Sequence, residues 1–248
     1  MNILEKLAHL SREAAEHNER LRPLSELEST LTTNSISMRD SLLQYSEFPV
    51  IAEFKRASPS NPNIGKEADL RATIKAYEQL GAAGMSVLTE QHYFLGNLDD
   101  LEFVARNSSL PVLRKDFITT RYQIAEARKA GASVVLLIAR LLSAQEQDEL
   151  TQYAHDLGME VLMEVHSHEE LKVNKLSVDL LGVNCRDLST FETDLNHFKN
   201  QITYLKHPFL IAESGMQNQQ DINTVLDMGY TGCLIGTALM SKTFNQVS

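Results

Sequence analysis

Short apolar runs and longer amphipathic stretches alternate eight times along this chain. The runs are Pro49–Phe54, Gly84–Thr89, Pro111–Lys115, Ser133–Ile138, Met159–Glu164, Asp179–Asn184, Pro208–Glu213 and Thr231–Gly236. They are apolar at most positions rather than at every second one, which predicts parallel strands buried on both faces. Between them, stretches such as Ala68–Leu80 and Gln145–Leu157 carry apolar residues at helical spacing. Gly81, Gly131, Gly158 and Gly229 stand where helices should end and turn back into strands. Eight strand–helix units predict an α/β fold, the closed (β/α)8 TIM barrel. A doubly wound open sheet shares the rhythm, and the count of eight favours the barrel.

Residues 1–45 precede the first strand. They predict an N-terminal helical extension, with a helix from Ile3 to about Arg20 that places Leu4, Leu7, Leu10 and Ala14 on one face. Such a helix could plug the bottom of the barrel or cap its active end. No low-complexity linker divides the chain, so residues 1–248 read as one barrel domain with that extension. No apolar run approaches the roughly 20 residues that span a bilayer. The stretch Met1 to Arg22 is polar and lacks the apolar core of a signal peptide. The expectation is a cytoplasmic protein with no membrane partner. A net charge of −10 argues against a general nucleic-acid surface. It leaves room for a small anionic ligand, because a few local cations can dominate a pocket. Cys185 and Cys233 lie outside any CxxC pattern, and His166-Ser167-His168 has no third ligand at matching spacing. No disulfide and no metal are expected.

In barrels of this kind the chemistry sits at the C-terminal ends of the strands. Strand one ends in Glu53 and Lys55, two residues apart and so on one face. A buried carboxylate and ammonium are costly to desolvate, and such a pair marks a site more often than a core. Strand three ends in Arg114-Lys115-Asp116, strand five in Glu164, and strand six in Asn184 with Arg186 after it. Strand seven ends in Glu213-Ser214-Gly215. One strand-end charge is most simply a structural salt bridge. Their joint placement at one rim points to chemistry. Ser214-Gly215 and Gly236-Thr237 fall after strands seven and eight, where this fold places a phosphate.

The residues also resemble a known family, indole-3-glycerol-phosphate synthase, from about Phe48 to Met240. The resemblance is carried by Ile51-Ala52-Glu53-Phe54-Lys55-Arg56-Ala57-Ser58-Pro59-Ser60, Ser86-Val87-Leu88-Thr89-Glu90 and Leu113-Arg114-Lys115-Asp116-Phe117-Ile118. It continues through Met163-Glu164-Val165-His166, Gly182-Val183-Asn184-Cys185-Arg186-Asp187-Leu188, Ala212-Glu213-Ser214-Gly215 and Ile235-Gly236-Thr237-Ala238-Leu239-Met240. It implies ring closure of 1-(2-carboxyphenylamino)-1-deoxyribulose 5-phosphate, with loss of carbon dioxide and water, to indole-3-glycerol phosphate in tryptophan biosynthesis. No metal or organic cofactor is implied.

The resemblance implies a catalytic set of Glu53, Lys55, Lys115, Glu164, Asn184 and Ser214. Ring closure needs an acid for the ribulose carbonyl oxygen, and Lys115 matches it. Glu164 matches the base. Lys55 matches a residue that holds the substrate carboxylate, and which lysine acts in which proton transfer stays open. Glu53 would orient Lys55, and Asn184, Arg186 and Glu213 would complete the polar network around the ligand. Ser58, Gly215, Gly236 and Thr237 would hold the phosphate. Phe94, Phe117 and Leu188 would wall the aromatic ring, which needs an apolar slot. The implied partner is a phosphorylated small molecule. A monomer is expected, and other tryptophan-pathway enzymes are possible partners.

Two other readings compete. Another phosphate-binding barrel, such as phosphoribosylanthranilate isomerase, explains the phosphate loops but not Glu53, Lys55, Lys115 and Glu164 together. A non-catalytic partner subunit does not explain intact acid and base positions. Three departures from the family pattern carry expectations. Asn61-Pro62 stands where a Lys-Gly pair is common, so the first loop should be stiffer. Leu171–Val178 is short, so the fifth helix should be short or irregular, and little chain follows Thr237 to form the eighth.

Overall fold

The computed structural model of the protein describes residues 2–31, 35–172, 177–187 and 192–244. Eight parallel strands pair in chain order, and the last pairs with the first to close a barrel. They are β1 (Val50–Phe54), β2 (Gly84–Leu88), β3 (Val112–Lys115), β4 (Val134–Ile138), β5 (Glu160–Val165), β6 (Leu180–Asn184), β7 (Leu210–Glu213) and β8 (Gly232–Ile235). All eight match the expected runs to within two residues at either end. Pro49, Pro111 and Pro208 fall just before β1, β3 and β7, since proline has no N–H to give the ladder.

The strands alternate strictly. Ile51, Leu113, Val134, Leu136, Leu162, Leu180, Ile211 and Leu234 pack together inside the barrel. Val50, Ala52, Phe54, Val135, Leu137, Val161, Met163, Leu181 and Val183 belong to the layer between sheet and helices. Both faces are apolar, which is why the runs look continuous in sequence. The alternation also fixes the chemistry. Each odd-numbered strand ends with one inward ionisable group: Glu53, Lys115, Glu164 or Glu213.

The outer ring is α4 (Leu70–Gln79), α5 (Leu98–Asn107), α6 (Arg121–Lys129), α7 (Ala144–Asp156), α8 (Asn196–Gln201), α9 (Gln219–Asp227) and a single short turn, α10 (Thr237–Met240). Between β5 and β6 the described residues form only a 3-10 turn at His168–Glu170. The buried Gln147 side chain ties the described part of this segment to the barrel. Its Nε2 donates to the carbonyls of Ala139 (2.9 Å) and Glu170 (3.2 Å), and its Oε1 accepts from Lys172 N–H (3.1 Å). Residues 173–176 of the expected short fifth helix lie outside the described residues, and after β8 the described residues form only the turn α10. None of the helices among the described residues is long and apolar enough to cross a membrane.

The N-terminal segment contains α1 (Ile3–Leu21), α2 (Leu24–Glu28) and α3 (Met38–Gln44). The two readings of the extension are divided between two helices. α1 starts at an Asn2–Glu5 capping box and lies over the mouth of the barrel. Ser11 donates to Asp116 (3.0 Å), Arg12 to Thr119 (3.1 Å), Asn18 to Glu126 (2.8 Å) and Lys6 to Tyr93 (2.8 Å). These bonds hold Leu4 and Leu7 above the site. α3 closes the bottom instead. Its Ser41 hydroxyl donates to the Ala83 carbonyl, and Met38 and Leu42 pack against Gly84 and Gly232, where a side chain would collide with them.

Glu160, at the start of β5, caps α3. It accepts from Met38 N–H (2.8 Å), the Ser37 hydroxyl (2.6 Å) and Arg39 Nε (3.1 Å). Glu160→Ala is expected to cost about 1–3 kcal/mol, because it strands buried donors at a helix start. Turnover should be unchanged, since conserving this face matters for stability rather than chemistry. Urea unfolding midpoints and kcat, measured on the same preparation, check both halves.

Candidate active site

Strand ends and α1 enclose one pocket at the C-terminal mouth. Glu53 and Lys55 point into it from β1 and the residue following it, with Nζ 2.8 Å from Oε1. Lys115 on β3 reaches across the barrel to donate to Glu164 Oε2 on β5 at 2.9 Å. Its Nζ also lies 3.5 Å from Glu213 Oε2 on β7. Asn184 on β6 donates to the other oxygen of Glu164 at 3.0 Å, and its own Oδ1 accepts the Arg186 N–H at 3.0 Å. Glu164 is therefore held at both oxygens, with one lone-pair direction of each left for a ligand.

The electrostatics follow from burial and proximity. Burial alone would depress the Lys115 ammonium, but the charges of Glu164, Glu213 and Glu53 outweigh it and hold it above its ordinary value. Burial alone would raise Glu164. The Lys115 charge, His166 and the Asn184 hydrogen bond outweigh that and hold it below the usual carboxylate range. For Glu213, burial and then repulsion from Glu164 push upward more than Lys115 pulls down. At neutral pH the cavity offers an ammonium acid and a carboxylate base 2.9 Å apart.

Beside the charges lies an apolar slot. Phe94 and Phe117 tilt toward each other with centroids 6.2 Å apart, and Leu4, Leu7, Leu136 and Ile138 line the same cavity. Ser58, Ser214, Gly215, Gly236 and Thr237 also line it. After Glu213 the chain turns sharply through two left-handed residues, Ser214 at φ 71° and Gly215 at φ 85°. Gly236 lets the backbone meet the charged pair: a Cβ there would overlap Glu53 Oε1 and stand 2.8 Å from Lys55 Nζ. The first loop is a tight turn, with Ser58 N–H donating to Asn61 O (3.0 Å) and Asn61 N–H to Ser58 O (3.1 Å) just before Pro62.

Every expected site residue among the described residues lines this pocket. Leu188 lies outside the described residues. The other strand-end charges are structural. Arg114 points outward, pairing with Asp116 at 3.0 Å and donating to the Gln123 carbonyl at 2.6 Å. His166 and His168 have separate surroundings, the latter stacked on Tyr204 at 4.1 Å. Among the described residues no three His, Cys, Asp or Glu side chains gather as metal ligands. Cys185 and Cys233 are free and buried, and burial pushes the Cys185 thiol up to about 11.

The sequence model of the indole-3-glycerol phosphate synthase family matches residues 4–247. The chain belongs to this family. An indole-3-glycerol phosphate synthase from Staphylococcus saprophyticus is 38% identical over 245 residues, covering 97% of this chain and 93% of that protein. One from Carboxydothermus hydrogenoformans is 39% identical over 249 residues, covering 96% and 94%. The N-acetylmannosamine-6-phosphate 2-epimerase of Clostridium perfringens superposes with a TM-score of 0.63 at 15% identity, over 84% of this chain and 93% of its own. That likeness shows the shared barrel only. Family membership makes the chain a carboxy-lyase of tryptophan biosynthesis, with a phosphorylated small molecule as substrate.

Five contributors were given no role at the site from sequence. Ile3, Leu4 and Leu7 of α1 form part of the pocket wall. Their amphipathic spacing predicted burial but not the surface that buries them. Glu90 is 2% exposed and accepts the N–H groups of His92 (2.8 Å), Tyr93 (2.7 Å) and Phe94 (3.0 Å), so it shapes the loop that presents Phe94. A carboxylate two residues after β2, with Tyr93-Phe94 beginning three residues further on, was its local signal. Gly182 on β6 leaves the space that the Glu213 carboxylate fills.

Gly236→Ala tests how tightly the β1 pair is placed. The added methyl must displace Glu53 and Lys55, and shifts of about 1 Å can cost about 10²-fold in rate. We expect kcat/KM to fall by about that factor with an unchanged melting temperature, measured by steady-state kinetics and calorimetry.

Proposed function

We propose that this site closes the indole ring of 1-(2-carboxyphenylamino)-1-deoxyribulose 5-phosphate and releases carbon dioxide and water. The observation that carries the reading is the 2.9 Å contact between Lys115 Nζ and Glu164 Oε2, beside the Phe94–Phe117 slot. In this reading the anthranilate ring occupies the slot, and Lys115 protonates the ribulose carbonyl oxygen as the ring carbon attacks it. Loss of carbon dioxide restores the aromatic ring. The hydroxyl then leaves as water while Glu164 removes a proton from carbon. Lys55, oriented by Glu53, holds the carboxylate that is lost. Ser58, Gly215, Gly236 and Thr237 receive the phosphate, with Ser214 beside them. Asn184 fixes Glu164, and Arg186 faces the ligand from the loop after β6. The barrel and residues 1–45 act as one domain, a reading supported by α1 forming part of the pocket.

The test is turnover of that substrate by the purified chain, followed through indole fluorescence, with no metal or cofactor added. Formation of indole-3-glycerol phosphate is the expected result. A folded chain that binds substrate but yields no product would overturn the reading in favour of a partner subunit.

A further inference from the structure

The buried charges around Glu213 are uneven. Glu53 pairs with Lys55 at 2.8 Å and Lys115 with Glu164 at 2.9 Å. Asp116, at the rim, is paired with Arg114 at 3.0 Å. That leaves Glu213, 1% exposed, as a third carboxylate in a cluster with two ammonium groups. Among the described residues neither of its oxygens receives a hydrogen bond, although Lys115 Nζ stands 3.5 Å away. An ionised carboxylate in that position would be buried with excess negative charge and no donor, a combination costing several kcal/mol. The groups acting on it from β1, β3 and β5 are Glu53, Lys115 and Glu164, and burial with the two carboxylates outweighs the single ammonium.

We propose that Glu213 holds a proton in the resting enzyme and passes it to Lys115 between ring closure and dehydration, so that one ammonium serves as acid twice. The idea rests on the ring-closure reading above. That reaction delivers two protons to oxygen, first to the carbonyl and then to the departing hydroxyl, and removes one from carbon. Its net uptake is one proton, because an ionised carboxylate leaves as neutral carbon dioxide. Lys115 gives its N–H proton to the carbonyl oxygen and becomes an amine. The Glu213 O–H bond then breaks as a new N–H bond forms on Lys115, and Glu213 becomes a carboxylate. The restored ammonium protonates the leaving hydroxyl while Glu164 takes the proton from carbon. For the next cycle Glu164 returns its proton to Lys115 across their 2.9 Å contact. Glu213 draws one from solvent, which accounts for the net uptake.

Glu213→Gln keeps the shape of the side chain and removes the transferable proton. In single turnovers of the full chain, carbon dioxide release should proceed as in wild type, while indole formation lags behind it by about 10²-fold, the typical contribution of a positioned acid. Glu213→Asp keeps a carboxyl and should recover part of the indole rate. A purely structural role would slow both products equally, and either that result or no change in either rate overturns the proposal. So would a second proton supplied by Lys55, which leaves the two products in step in Glu213→Gln. Infrared spectroscopy of the unliganded protein at neutral pH gives a separate reading. The C=O stretch of a neutral carboxylic acid should be present in wild type, shifted in Glu213→Asp and absent in Glu213→Gln. An active wild type without that band rejects the proton reservoir and leaves the ring-closure function standing. The band in an inactive wild type rejects the function, and with it the relay, while leaving the protonated side chain.

Discussion

Lys115→Met is expected to lower kcat/KM by about 10⁴-fold, the upper end of what a single acid–base group contributes. The size follows from two losses in one substitution. The acid for ring closure disappears with the ammonium. The base is disabled as well, because Lys115 is the charge that holds Glu164 down against its burial. Without it Glu164 lies 4% exposed beside Glu213, and its pKa must rise. The substitution also breaks a buried ion pair, and leaving a partner charged and unpaired costs about 3–5 kcal/mol. That destabilisation should shrink in acid, where the stranded carboxylates accept protons at little expense. Steady-state kinetics and urea unfolding at neutral and acidic pH, run on both proteins, check the two effects. A variant that kept more than about one-tenth of wild-type kcat/KM would remove Lys115 from the acid role, since a positioned acid contributes at least about 10²-fold.

Glu164→Gln should be less severe, lowering kcat by about 10²–10³-fold. The base is lost, but with the Glu164 charge gone its repulsion on Glu213 goes too, so Glu213 can ionise 3.5 Å from Lys115 and keep it protonated. Asn184 can still bond the amide oxygen, so the geometry survives. The double variant should lose scarcely more than Lys115→Met alone, because the two groups act as a unit. The pH dependence has a definite sign. Glu164 is held below its ordinary value, so the base form and its contribution to stability are present above about pH 4.3, the unperturbed glutamate value, and are lost as pH falls through the folded value. Lys115 is held above its ordinary value, so its contribution is present below about pH 10.4 and lost only as pH rises through the folded value. From this pair the profile of kcat/KM in wild type should be a broad plateau across neutral pH. An acid limb near pH 7 would show that Glu164 is not the base of the free enzyme.

The barrel was legible in the chain because its signals are local. A strand buried on both faces needs an apolar residue at nearly every position, and a covering helix needs one at every third or fourth, whatever else the chain does. The same local rule placed Glu53 and Lys55 on one face and set Lys115, Glu164, Asn184 and Glu213 at strand ends. It could not separate Lys115 from Arg114 and Asp116, three adjacent charges of which only the lysine turns inward to the reacting groups. Nor could it tell which helix of the N-terminal extension would cover the mouth, since amphipathic spacing announces a buried face and not its partner. The buried Gln147 that ties down the segment after β5 had no local signal, because its partners include Lys172, 25 positions away.

By itself, then, the chain determined the alternation of elements, the closed eight-stranded count and the residue types at the functional rim. Only the tertiary structure decided which of those residues meet. Lys115 and Glu164 are 49 positions apart and touch because β3 and β5 flank β4 and the curved sheet turns their inward side chains toward each other. Glu213 joins them from β7 because Gly182 leaves it room, and it becomes the odd carboxylate in a buried cluster. Secondary structure is dictated by short-range periodicity, but contact and protonation depend on distance and burial, and these exist only once the ring is closed.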